Sequence, residues 1–287
     1  MELRAYAKIN LTLEVQYKRD DGYHEVSTIL QTISLHDVIR LEPASDIQMF
    51  CDAPALAGED NLAYRAALLL RETTGYAGGA AVHLEKGIPI NAGLGGGSSD
   101  AAAVLRGLDQ LWGLGLPIDK LGQLAAQLGS DVPFFLRGGT ALGTGRGEKV
   151  NQLPSVPRAD LVVCVPRVDI PNKTAFMYGL LSSEDFSDGS HTMGIAFQIS
   201  SGHRIESDHL FNVFQIHAVT RFPEIVQGAQ ALNDLGLDAV LTGAGPSLYA
   251  LLPQDIDRQE VKGALAKQDL EFYIVSTVSS HDVEVFA

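Results

Sequence analysis

Cysteine is scarce. The chain of 287 residues has two, Cys51 and Cys164. Each lies in an apolar stretch and nothing around them has metal-ligand spacing, so a Cys/His metal module is excluded. Buried free thiols in a reducing compartment are favoured over a disulfide. Positive charge is also short. Lys and Arg number 21 against 35 Asp and Glu, a formal net charge of −14. That balance disfavours non-specific binding to nucleic acid or to an anionic membrane. No apolar run approaches the ~20 residues that span a bilayer, and Met1-Glu2-Leu3-Arg4 opens no signal-like apolar segment. The cytoplasm is the expected location. Internal repeats and low-complexity segments are missing too. Hydrophobic residues are abundant, at 46%, which argues against disorder. The length suits one large or two modest domains with a sizeable core.

Glycine is concentrated where it can matter. Pro89-Ile90-Asn91-Ala92-Gly93-Leu94-Gly95-Gly96-Gly97-Ser98-Ser99 lies between a strand expected over residues 81–85 and a helix expected over 101–108. Glycine lets backbone N–H groups approach an anion that a Cβ would hold off. The first N–H groups of the following helix lack internal partners, and its dipole adds positive potential there. Together these make a phosphate cradle. A P-loop is excluded because no lysine follows the glycines. A dinucleotide fingerprint is excluded because Ser98 falls where its third glycine belongs. Ser98 and Ser99 can cap the helix, or lend hydroxyls to a phosphate or a Mg²⁺ ion.

Residues 3–15 alternate apolar and polar, so a strand puts Lys8 and Asn10 together on its polar face. That face either looks into a cleft or is solvated, the commoner fate of a lysine. Asp21-Gly22 marks a turn. Tyr23 and His24 at its exit can grip a planar ligand or simply pack on the hairpin. Strands are expected over residues 24–33, 37–41 and 47–51. Asn61 caps a helix over 62–70. Lys86 is near enough to the cradle to reach a nucleotide, or is exposed. Pro117 and Asp119 open a helix that closes at Gly129. Asp131, before Val132-Pro133, reads on pattern as a helix cap, with a proton-accepting carboxylate as the functional reading. Arg146, in a second glycine-dense stretch, can supply positive charge. Residues 154–158 read as a hinge and 182–209 as a variable surface segment. Strands over 160–165, 239–241, 247–252 and 271–278, with helices over 174–181, 223–235 and 255–268, suggest a small split-βαβ unit.

Five segments occur in a telling order: Ala7-Lys8-Ile9-Asn10-Leu11, Asp21-Gly22-Tyr23-His24-Glu25, the glycine stretch through Ala102, Asp131-Val132-Pro133-Phe134-Phe135, and Gly243-Ala244-Gly245. From residue 3 to about residue 278 the chain resembles the GHMP kinase superfamily. The Asp-Gly-Tyr-His turn and the Asp-Val-Pro-Phe-Phe segment resemble one branch of it, whose acceptor is a cytidine diphosphate-linked polyol of the non-mevalonate isoprenoid pathway. The resemblance implies a two-domain α/β (α+β) fold. Residues 1–155 would form an ATP-binding domain like domain 2 of ribosomal protein S5, and 156–287 a ferredoxin-like domain. It implies ATP with Mg²⁺ as co-substrate, with the ATP phosphates on the loop from Pro89 to Ser99. Lys8 and Asp131 would be the catalytic pair, and Asn61 and Lys86 would lie near the adenine. Tyr23 and His24 would hold the cytosine, with Tyr178 stacking on its other face. Asn10 and Thr174 would lie near the acceptor. The chain departs from the branch at Ala244 and Pro246, which look more like a homoserine kinase. It departs again at Val213 and Gln215, where Asp and Glu are usual. Another GHMP kinase, or a non-catalytic nucleotide-binding regulator, are the competing functions.

Overall fold

In the computed structural model, which describes residues 1–268 and 270–285, the alternating N-terminal run is strand β1 (Glu2–Lys18). It pairs antiparallel with β2 (His24–Ala44). The two strands expected over 24–33 and 37–41 are therefore one. A register shift opposite Tyr6/Ala7 absorbs Ser34 and Leu35, so the ladder resumes instead of ending. Next come β3 (Gln48–Cys51), α1 (Leu62–Thr74), β4 (Gly79–Glu85), α2 (Gly96–Leu111), α3 (Ile118–Leu128), α4 (Val132–Phe135), β5 (Thr140–Gly145) and β6 (Lys149–Gln152). Asn61 caps α1 as expected, its side chain accepting from Ala63 N. β2 is long enough to pair with β5 along Val26–Gln31 and with β4 along Val38–Ala44.

The second half of the chain supplies β7 (Asp160–Val165), α5 (Lys173–Gly179), α6 (Ser190–Ser200), β8 (Phe211–Asn212), α7 (Gln215–Arg221), α8 (Pro223–Asn233), β9 (Val240–Leu241), β10 (Leu248–Leu251), α9 (Arg258–Lys267) and β11 (Glu271–Ser276). Its antiparallel sheet runs β11-β7-β10-β9, the split-βαβ order. The stretch 182–209 is not merely variable surface. Within it α6 buries Thr192, Ile195, Ala196 and Ile199, while Met193 and Phe197 on its other side stay exposed. Apolar residues all round the helix hide its periodicity in the sequence.

The first sheet has seven strands among the described residues, with β3-β4-β2-β1-β8 in order, β5 paired with β2, and β6 paired with β5. β1 runs through three cores. Leu3 and Ala5 join the helices α1–α3. Ala7, Ile9 and Leu11 pack against Leu161, Val163 and Tyr249 of the second sheet. Leu13 and Val15 enter the core built on α7 and α8. A strand covered this way cannot present a solvated polar face, and Lys8 is only 4% exposed. Both cysteines are unpaired. No helix among the described residues is long and apolar enough to cross a membrane.

Candidate active site

The free edge of β1 positions the site. Lys8 N donates to Leu94 O of the glycine loop at 2.9 Å. Asn10 N donates to Thr242 Oγ1, and Tyr249 Oη donates to Asn10 O. β8 then takes the edge at Thr12 and Leu13. One strand edge thus carries the early glycine loop, the late glycine loop and a strand from the second half.

The loops themselves touch backbone to backbone. Gly93 has φ 84°, and a Cβ there would come within 2.5 Å of Gly245 O. Gly95, φ 77°, lies against Phe135 and the Lys8 stem, and a Cβ would meet the ring at 2.7 Å. Helix α2 begins at Gly96 with Gly95 before it, and no side chain caps it. Ser98 and Ser99 therefore lie inside the first turn and are not caps. The N–H groups of Gly96, Gly97 and Ser98 have no partner within a helix that starts at Gly96. Ser98 lines the cleft. Ser99 is buried on the other side, in a small recess with Tyr6, Ala103 and Phe135.

The cleft encloses ≈ 1530 Å³, more than one small ligand needs. Of the residues named from sequence, Lys8, Asn10, Tyr23, His24, Asn61, Lys86, Asp131, Thr174, Tyr178 and the loop from Pro89 to Ser98 all line it. Lys8 Nζ lies 3.7 Å from Asp131 Oδ2 and donates to Asn10 Oδ1 at 2.8 Å. Asp131 caps nothing: its side chain makes no cap hydrogen bond and is 39% exposed to the cleft. Lys8 sits opposite, so the carboxylate is turned to a charge partner and away from the α4 backbone.

Three placements were not visible in the sequence. Asn10 is occupied internally. Its Oδ1 also accepts from Gly243 N, and its Nδ2 donates to Thr28 Oγ1, so its amide fixes the Lys8 ammonium. Lys86 is not a free cation. It bridges Asp37 at 2.5 Å and Asp100 at 2.8 Å, all three groups buried. Asp37 also accepts from Gly87 N and Ile88 N at the root of the glycine loop. Burial and the Asp37 charge push the Asp100 carboxyl well above the usual range. Finally, His24 and Tyr178 do not flank a gap. Their rings are in contact, centroids 5.0 Å apart, too close to admit a base between them.

Other residues were silent in the sequence. Phe186 and Phe214 extend the wall around His24 and Tyr178. Burial, then the Lys18 charge, lowers the His24 pKa, so the ring is neutral with one donor and one acceptor. Burial, then Asp131, raises that of Tyr178. Arg146 lies over the Tyr23 ring, 4.6 Å from its centroid. Asp37 sits in an ordinary alternating strand, and only the pairing of β2 with β4 brings it to Lys86. Gln215 uses its amide both ways, accepting from Leu241 N and donating to Ala239 O. A glutamate could only accept. Val213 is buried in the core.

The GHMP kinases N terminal domain profile matches residues 61–139, the segment from the α1 cap through the glycine loop to the Asp131 helix. The fold places the chain in the same class. A homoserine kinase from Cytophaga hutchinsonii superposes with TM-score 0.72 at 17% identity, covering 97% of this chain and 94% of that one. A solved 4-(cytidine 5'-diphospho)-2C-methyl-D-erythritol kinase superposes with TM-score 0.82 at 35% identity, covering 96% and 99%. The matched segment and the two-sheet scaffold are those of a GHMP kinase. The 4-diphosphocytidyl-2-C-methyl-D-erythritol kinase of Dehalococcoides mccartyi is 40% identical over 98% of this chain and 100% of its own length. The chain belongs to that kinase family.

Proposed function

We propose that the protein transfers the γ-phosphoryl group of ATP to the 2-hydroxyl of 4-diphosphocytidyl-2-C-methyl-D-erythritol. The observation that carries this is the Lys8–Asp131 pair, 3.7 Å apart at the mouth of the glycine loop. Phosphoryl transfer asks a protein mainly for positioning and charge neutralisation. The Asp131 carboxylate takes the proton of the acceptor hydroxyl as its oxygen bonds to the γ-phosphorus. The bond from that phosphorus to the β-bridging oxygen breaks, and ADP leaves. Lys8, held by Asn10, offsets the negative charge that develops on the transferred group.

The unpartnered N–H groups of Gly96, Gly97 and Ser98 face the ATP phosphates, with Asn61 and Lys86 toward the adenine. Lys86 acts there through its stem and its link to the loop root. Mg²⁺ enters as part of the Mg·ATP co-substrate. Tyr23 offers one stacking face for the cytosine and Tyr178 the other, and neutral His24 meets the base edge. Both tyrosines line the cleft, and among the described residues no ring contact joins them. Thr174 lies on the acceptor side. The natural division is residues 1–155 and 156–287: β6 ends at Gln152 and the second sheet begins at Asp160. A cytoplasmic setting fits the two free thiols.

The test is ADP release from Mg·ATP with three acceptors side by side: 4-diphosphocytidyl-2-C-methyl-D-erythritol, homoserine and mevalonate. Turnover with the first alone is expected. Turnover with homoserine instead would mean that the Ala244–Pro246 loop, not the Tyr23-His24 turn, sets the substrate.

A further inference from the structure

Phosphate groups of two ligands must meet in one cleft of an acidic chain, so unengaged cations there are valuable. Lys8, Lys18, Lys86, Arg146 and Lys173 line it. Lys8 faces Asp131, Lys86 is held between Asp37 and Asp100, and Arg146 covers Tyr23 beside Glu148. Lys18 is exposed, at the end of β1. Lys173 differs from all four. It is half-buried, and among the described residues no carboxylate lies within ion-pair distance of it. Its Nζ donates to the backbone carbonyl of Asn91, in the glycine loop, at 2.6 Å.

Local structure does not account for that placement. Lys173 is the first residue of α5, where a positive charge meets the positive end of the peptide dipoles. Asn172 just before it and Asn91 opposite have φ 47° and 59°, the two left-handed non-glycine residues among those described. Such backbone is costly and collects where a site requires it. Burial and the like charge of Lys8 pull the amine down to about 8. Lys8 and Lys173 line the same cleft, and an anion between them would offset both charges.

We propose that Lys173 is a phosphate-binding residue of this cleft, its ammonium moving from the Asn91 carbonyl onto phosphate oxygens held between Lys8 and the glycine loop. The inference rests on the phosphoryl-transfer reading above. Since α5 also carries Thr174 and Tyr178, the contact would draw the acceptor wall toward the loop when phosphate is bound.

The experiment is calorimetric titration of ATP, and separately of cytidine diphosphate, into the natural chain, Lys173→Met and Lys173→Arg, with turnover measured alongside. The Met variant should bind at least one ligand about tenfold more weakly, the size expected for a lost charge-assisted hydrogen bond, and the Arg variant should stay within about threefold of the natural chain. Loss confined to ATP assigns the donor triphosphate; loss confined to cytidine diphosphate assigns the acceptor. Unchanged affinity for both ligands in Lys173→Met overturns the proposal. So does an equal loss in both variants accompanied by a lowered melting temperature, which would make Lys173 only a loop tether. A natural chain that turns over no acceptor would count against the kinase reading, and the binding arms would still decide Lys173.

Discussion

Lys86 and Lys8 line the same cleft, each beside aspartate, and their surroundings are opposite. Lys86 is gripped at 2.5 and 2.8 Å by two buried carboxylates, one of which also holds Gly87 N and Ile88 N. Lys8 has one carboxylate, 3.7 Å away and 39% exposed, and a single close hydrogen bond to Asn10. In the first assembly every carboxylate oxygen but Asp100 Oδ1 is engaged. A saturated buried pair has nothing left to give a ligand, and it fixes backbone. Here it joins β2, the root of the glycine loop and the N-terminal part of α2. The second assembly is left short of partners at the cleft surface. Its spare capacity, a carboxylate that can take a proton and an ammonium that can meet a phosphoryl oxygen, is what the proposed chemistry requires. Charge type alone does not separate a working lysine from a scaffolding one; the number and closeness of its partners does.

The sharpest break of this comparison is Asp131→Asn. It should lower kcat by about two to four orders of magnitude while ATP binding holds, since a general base is lost and the amide keeps the shape of the carboxylate. A loss under tenfold in a steady-state assay would remove the base role. Next is Asp37→Asn, which puts an amide against the Lys86 ammonium. Stability measured by urea denaturation should fall by about 3–5 kcal/mol, the usual cost of breaking a buried pair. A variant as stable as the natural chain would mean that the cluster holds nothing together. Tyr23→Ala lies outside both assemblies, at the cleft mouth. It should raise the acceptor KM about tenfold and leave the ATP KM alone, in line with the stacking of one base on one ring. Equal effects on both KM values would detach Tyr23 from the acceptor.

Asp100→Asn gives the smallest effect and the most informative sign. Burial and Asp37 raise the folded pKa of Asp100. A carboxyl with a raised folded pKa contributes its full stability below the ordinary carboxylate range and loses it as pH rises through the folded value. The Asn variant has no charge to bury. Its melting temperature should therefore improve relative to the natural chain as pH goes from acid to neutral. A gap that stays constant with pH would mean that Asp100 ionises freely.

Much of the fold was legible because it follows from local rules. β1 showed in its alternation, α1 in its Asn61 cap, α3 in its Pro117 and Gly129 boundaries, and the split-βαβ order in the spacing of the later elements. The glycine loop was legible as a run of freed backbone N–H groups from its glycines and the helix that follows them. Lys8 and Asp131 were not. Alternation suggested a solvated lysine and helix-start statistics a capping aspartate, and only resemblance to a family pointed to a pair. α6 was missed because its apolar residues surround the helix, and Asp37 because nothing within β2 marks it.

What the chain order dictated, then, is everything set within a few residues of itself: strand periods, caps, turns and the glycines that free backbone N–H groups. What tertiary structure decided is every relation across distance. Burying both faces of β1 turned a polar strand face into a site. Closing β2 on β4 spent Lys86 on structure. Docking the late glycine loop and α5 against the early one brought Gly243 to Asn10 and Lys173 to Asn91. Whether a charged group is spent or available depends on partners tens to hundreds of residues away, and no local pattern encodes that.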